Sequence, residues 1–208
     1  MNHTGNILSN LLSIKTLHTI RNSLSTTQII ALGFFFAILT GTLLLCLPVA
    51  SANGESTPFA DSLFTATTSV CVTGLVVVNA AAHWSLFGKV VILILIQLGG
   101  LGVISLSTGI MMVIGRRITL RDRLLLEDAF NLNTLSGLVK FLRRVFKGTF
   151  IIEGLGAIGY ALVFIPEFGL LRGIWYSVFH SVSAFCNAGI DLLGENSLGN
   201  YLTNPWIN

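Results

Sequence analysis

Two stretches, Ser62–Gly74 and Ser177–Gly189, carry one pattern written twice: Ser62/Ser177, Phe64/Phe179, Cys71/Cys186 and Gly74/Gly189 coincide at a constant offset. Each is a short apolar segment with room for two or three helical turns. Each then runs into a glycine, which adopts backbone shapes that other residues resist. A helix that stops inside an apolar chain leaves carbonyls unpaired, and hydrocarbon cannot satisfy them. A cation can. Val72, Thr73 and Gly74 and their counterparts Asn187, Ala188 and Gly189 are therefore candidate ligands, their backbone carbonyls replacing the water shell of an ion. The side chains differ between the copies, which carbonyl coordination tolerates. A plain turn between buried segments would account for one such glycine; repetition after a short apolar helix favours the ion.

Two acids stand near these segments. Asp61 lies near the start of the first short helix, where a carboxylate complements the positive helix end. Tyr176 holds the equivalent place in the second copy, so Asp61 reads as a cap and not a ligand. Glu153 is the sole acid within an apolar span. Ionisable groups there are costly and usually face protein or water. A bond to another helix is the favoured reading, with a proton or sodium relay as the alternative. His180 beside Ser181, and His83 near Ser85, lack the acid and oxyanion groups of a hydrolase. Cys46, Cys71 and Cys186 sit in apolar surroundings without zinc or disulfide spacing.

The elements that must hold these residues are apolar. Of 208 residues, 53% are hydrophobic and 10% charged, whereas soluble domains carry about 25% charged residues. No Asp, Glu, Lys or Arg occurs from Asn22 to Gly54 or from Val90 to Ile114. About 20 apolar residues cross a bilayer, so both stretches qualify, as does Val145–Ile165 around Glu153. The expected class is an all-α polytopic membrane protein. Residues 1–27 form a cytoplasmic N-terminal segment. Residues 28–115 hold a first repeat: span Gln28–Leu47 stopped by Pro48, short re-entrant helix Pro58–Ser69, extended Val70–Val78, outer loop Asn79–Ser85 and span Leu86–Ile114. Residues 116–141 form a cytoplasmic connector, helical around Leu120–Phe130. Residues 142–208 hold a second repeat: a span over 142–165 ending before Pro166, short helix Leu171–Ala184, extended Phe185–Leu192 and a polar tail without a closing span.

Ten of the twelve basic residues fall on the side of residues 1–27 and 116–147 in this scheme. The positive-inside rule places that side in the cytoplasm. The net charge of +3 is thus an orientation signal and not a nucleic-acid footprint. Ala50-Ser51-Ala52 resembles a signal-peptide cleavage site, but a long polar stretch precedes it and the apolar run exceeds the usual signal core.

Thr68-Ser-Val-Cys-Val-Thr-Gly-Leu75, Gln97-Leu-Gly-Gly-Leu-Gly102, Ile152-Glu-Gly154 and Ser183-Ala-Phe-Cys-Asn-Ala-Gly-Ile190 resemble the membrane subunit of the Trk/Ktr/HKT superfamily of potassium transporters, in its Ktr-like bacterial branch. The resemblance runs from about Gln28 and covers the N-terminal half of such a subunit. It implies four repeats of helix, pore helix, filter and helix around one pore. It also implies potassium bound at the filter carbonyls, uptake across the plasma membrane, coupling to sodium or protons or none, and no cofactor. The partners it implies are the lipid bilayer, a second copy in a homodimer, a cytosolic nucleotide-binding regulatory subunit and the C-terminal half of the transporter. This chain is expected to supply two of four filter segments and is not an enzyme. The alternative is a non-conducting truncated remnant or an interaction subunit of a complete transporter.

Overall fold

The computed structural model describes residues 25–113, 120–130, 137–194 and 196–207. Residues 1–24 and most of the stretch around Arg116 and Arg117, where the N-terminal segment and part of the connector were expected, lie outside the described residues. What is described is helical, with no strand beyond one isolated bridge between Ser51 and Trp84.

Helix α1, Thr26–Leu45, starts at a capping box in which the Ser25 hydroxyl accepts from the Gln28 N–H and the Gln28 side chain accepts from the Ser25 N–H. It ends just before Pro48, which opens a single 3-10 turn, Pro48–Ala50. Helix α2, Phe59–Cys71, and the one-turn α3, Ala80–His83, follow. The loops between them are tied together. Ala52 N–H donates to the His83 carbonyl at 2.8 Å, Ser85 N–H to the Ala50 carbonyl at 2.8 Å, and the Ser85 hydroxyl to the Val49 carbonyl at 2.6 Å.

The expected span Leu86–Ile114 is not one helix. It divides into α4, Leu86–Leu101, and α5, Val103–Val113. The break is at Gly102, whose φ of 79° and ψ of 135° are closed to residues with a Cβ, and whose N–H turns back to the Gly99 carbonyl. Helix α6 spans Leu120–Ala129. Helix α7, Leu138–Phe168, runs longer at both ends than the expected 142–165, and Pro166 lies inside it. Only two residues follow that proline in the helix, so the single backbone bond it removes does not end the helix earlier. At about 1.5 Å per residue, its 31 residues reach roughly 46 Å against a hydrocarbon core of about 30 Å. The basic first turns, with Lys140, Arg143, Arg144 and Lys147 exposed, extend beyond the apolar part. Helix α8, Leu170–Phe185, folds back along α7 after Gly169.

Thr27–Leu45 and Val139–Phe168 have the length and composition to cross a membrane. Their outward faces are apolar: Phe35, Phe36, Ile151, Leu155 and Ile158 are exposed. The packed core lies where α1, α2, α4 and α8 meet, around Leu45, Val70, Ile92, Ile96 and Phe179. A second, smaller cluster joins Leu126 of α6 to Leu142 of α7. The tail does not trail free. A 3-10 turn, Ser197–Tyr201, packs Tyr201 on Phe164, with ring centroids 5.6 Å apart, and the Tyr201 hydroxyl donates to Glu167 at 2.6 Å.

Candidate functional site

Beyond their helices the two patterned stretches take the same backbone shapes, position for position. After α2, Val72 is left-handed at φ 48° and Gly74 at φ 74°; after α8, Asn187 is left-handed at φ 58° and Gly189 at φ 65°. The N–H of Thr73 donates to the Thr68 carbonyl at 3.1 Å, and that of Ala188 to the Ser183 carbonyl at 2.7 Å. Asparagine tolerates this conformation, whereas a β-branched valine in it is strained, at a cost of about 1–3 kcal/mol.

A hydroxyl one turn back pins each loop from inside. Thr68 Oγ1 accepts from the Leu75 N–H at 3.0 Å and lies 2.6 Å from Thr73 Oγ1. Ser183 Oγ accepts from the Ile190 N–H at 3.1 Å and donates to the Ile190 carbonyl at 2.6 Å. Among the described residues, none of the carbonyls of Val72, Thr73, Gly74, Asn187, Ala188 or Gly189 accepts a hydrogen bond. The negative end of each helix adjoins its own set of open carbonyls.

The two loops also meet. A Cβ added to Gly74 would lie 3.1 Å from the Ala188 carbonyl oxygen and 3.6 Å from the Gly189 Cα. One added to Gly189 would lie 3.4 Å from the Gly74 Cα. At both positions the left-handed backbone and this close approach disfavour a side chain.

Helix α4 brings the copies to this meeting point through Gln97-Leu-Gly-Gly-Leu-Gly102. A Cβ on Gly99 would collide with the Val70 carbonyl near the end of α2, and one on Gly100 with the Cys186 sulfur at the end of α8. Gln97 on the same turn donates from Nε2 to both carboxylate oxygens of Glu153, at 2.8 and 2.9 Å. Its Oε1 accepts from the Cys186 thiol at 3.2 Å.

A family model described as "TrkH: Cation transport protein" matches residues 8–208. This chain belongs to the TrkH family. It is 46% identical over 188 residues to the potassium/sodium uptake protein NtpJ of Enterococcus hirae, covering 90% of this chain and 42% of that protein. It is 37% identical over 181 residues to the Ktr system potassium uptake protein B of Bacillus subtilis, covering 87% of this chain and 40% of that one. It is 35% identical over 180 residues to the protein of that same description in Vibrio alginolyticus, covering 86% and 39%. The chain thus spans about two fifths of the length of the curated relatives it matches. The TrkH relatives are membrane transport proteins and not enzymes, and they place this chain in the Ktr-like branch.

Of the other polar residues singled out in the sequence, His180 and Ser181 have local partners. Asp61 lies in the first turn of α2, half-buried. His180 accepts at Nε2 from the Leu192 N–H at 3.3 Å, which leaves Nδ1 to donate to the Tyr176 carbonyl at 2.7 Å. The Ser181 hydroxyl donates to the Glu153 backbone carbonyl at 2.6 Å and, among the described residues, has no basic partner to activate it. No cluster of three metal-ligating side chains occurs among the described residues.

Sequence reasoning missed the pinning roles of Thr68 and Ser183 and the central place of Gln97. The hydroxyl positions carried a signal: both precede their glycine by the same interval in the two copies.

Proposed function

We propose that this chain takes part in potassium uptake across the plasma membrane, supplying two of four filter segments of a Ktr-like transporter. The ligands are the backbone carbonyls of Val72, Thr73 and Gly74 and of Asn187, Ala188 and Gly189, each set following a pore helix. The observation that carries this reading is the meeting of two matching helix-terminal loops with open carbonyls. Such carbonyls are costly in hydrocarbon and are satisfied by a dehydrated cation. The name potassium uptake protein, borne by two of the relatives, supports potassium as that cation.

Two loops surround only one side of an ion, so the reading requires further filter segments from the rest of a transporter. A homodimer and a cytosolic nucleotide-binding subunit complete the assembly, with no cofactor. The basic residues, by the positive-inside rule, support a cytoplasmic N-terminus and a cytoplasmic 116–141 connector. Glu153 serves as a buried link between helices, while Asp61, in the first turn of α2, makes no cap hydrogen bond and acts only as a negative charge near the positive helix end.

The test replaces the matched part of NtpJ with this chain and measures rubidium uptake, with sodium as competitor, in a potassium-uptake-deficient bacterium. Gly74→Ser and Gly189→Ser should each reduce rubidium affinity or preference about tenfold, the effect of roughly 1–3 kcal/mol of backbone strain at the ligands. Val76→Ala, just beyond the loop, should change neither. Wild-type affinity and preference in both glycine variants would reduce these loops to turns.

A further inference from the structure

Three polar groups from three helices, two buried and one half-buried, converge beside the second loop. Gln97 of α4 lies between the Glu153 carboxylate of α7 and the Cys186 thiol that closes α8. Glu153 is 6% exposed and Cys186 8%. The residue after Cys186 is the left-handed Asn187, so the thiol sits where the helix turns into the open carbonyls.

We infer that Glu153 is a positioning residue for the second loop, acting through the direction of the Gln97 amide. This rests on reading the loop as an ion ligand. A carboxylate accepting at both oxygens demands hydrogen-bond donors, and the amide offers them only at its NH2 end. The Gln97 carbonyl oxygen is thereby turned towards Cys186, whose thiol donates to it. Turned the other way, the amide would face the carboxylate with an oxygen and the sulfur, a weak acceptor, with its NH2. Glu153 therefore decides whether Cys186 is held.

The geometry leaves little slack. The Ser181 hydroxyl bonds the backbone carbonyl of Glu153, which ties α7 to α8 at this level. Gly100 lies so close to the Cys186 sulfur that no Cβ fits between them. The Cys186 Cβ and Cα stand against the same glycine, so a shift of that residue, unlike a rotation of its thiol alone, carries the start of Asn187-Ala188-Gly189 with it. Glu153→Gln keeps the volume and removes the direction, because a second amide accepts either orientation of the first.

The alternative is that the cluster only ties helices together. It would then govern how much protein folds, and not which ion the loop prefers. The experiment uses the NtpJ chimera with rubidium uptake against sodium competition, at matched membrane amounts. Glu153→Gln and Cys186→Ala should each lower the rubidium-over-sodium preference about threefold or more, the scale of one net hydrogen bond. In a Gln97→Ala background, Glu153→Gln should change nothing further.

Cys186→Ala removes one small donor and serves if Glu153→Gln fails to reach the membrane. Unchanged preference in the single variants, with only protein amount or Tm reduced, would overturn the inference. So would a full additional effect of Glu153→Gln in the Gln97→Ala background. Gly189→Ser in the same assay separates the two levels. If it alone shifts preference, the loop reading stands and the positioning role falls. If it too leaves preference unchanged, both fall.

Discussion

Thr68 and Ser183 do one job in two settings. Both hydroxyls accept from the backbone N–H seven residues on, holding the chain as it leaves the loop. Ser183 also donates to the Ile190 carbonyl, and both it and Ile190 are buried, whereas Leu75 is exposed. Removing the buried hydroxyl strands a donor and an acceptor away from water, a cost of about 1–3 kcal/mol. Thr68 is buried as well, but the N–H its loss leaves unpaired belongs to the exposed Leu75, where water can replace the bond. Ser183→Ala should therefore lower the Tm of the purified chimera clearly more than Thr68→Val does. An equal or larger loss in Thr68→Val would contradict the burial argument. The strained Val72 and the tolerant Asn187 show the same asymmetry, since one backbone shape is held by residues of unequal aptitude for it.

At the scale of elements, glycines of one short motif serve two different ends. Gly99 and Gly100 stay helical and let α4 approach the ends of α2 and α8, while Gly102 takes a left-handed shape and breaks the helix. The docking of the tail on α7 is a second element-scale feature, and it should weaken in alkali. Burial, and then the hydrogen bond to Glu167 and its charge, raise the Tyr201 phenol above its ordinary value of 10.0. The folded protein then holds this proton at a pH where the unfolded chain has released it. The associated stability is complete below about pH 10 and declines as pH rises towards the folded value. The Tm difference between wild type and Tyr201→Phe should stay constant up to that point and shrink above it. A difference that persists unchanged at about pH 11.5 and beyond would show that ionisation is not linked to docking.

For the whole molecule, the charge distribution sets an expected orientation. With Cys46, Cys71 and Cys186 replaced, Ser56→Cys should react with an impermeant maleimide added outside intact cells. Lys140→Cys should react only after the membrane is opened. The reverse pattern would invert the topology. Geometry sets a second expectation. On the proposed filter reading, two loops meeting at Gly74 and Gly189 would face an ion from one side only. Expressed by itself, the 208-residue chain should not restore growth of a potassium-uptake-deficient bacterium at low potassium, whereas the NtpJ chimera should. Growth restored by the chain alone would mean that it closes a pore with copies of itself.

The paired loops are legible in the sequence because their shape depends on residue type. Left-handed backbone at Gly74 and Gly189 is cheap for glycine and costly for most others, so a repeated glycine is a repeated backbone instruction. The apolar character of the helices is legible for a similar reason, since composition alone reports which surfaces avoid water. Helix limits are less so: Pro166 marks a lost hydrogen bond and not a stop, and α7 continues past it. What only the tertiary structure decided was partnership. Gln97 is 56 residues from Glu153 and 89 from Cys186, and no local spacing says that an amide, a carboxylate and a thiol will share one buried site. Nor could the sequence say which glycine of Gln97-Leu-Gly-Gly-Leu-Gly102 breaks the span. A glycine needed for its missing Cβ and one needed for its φ are the same letter, and only the neighbours that pack against them tell the two apart.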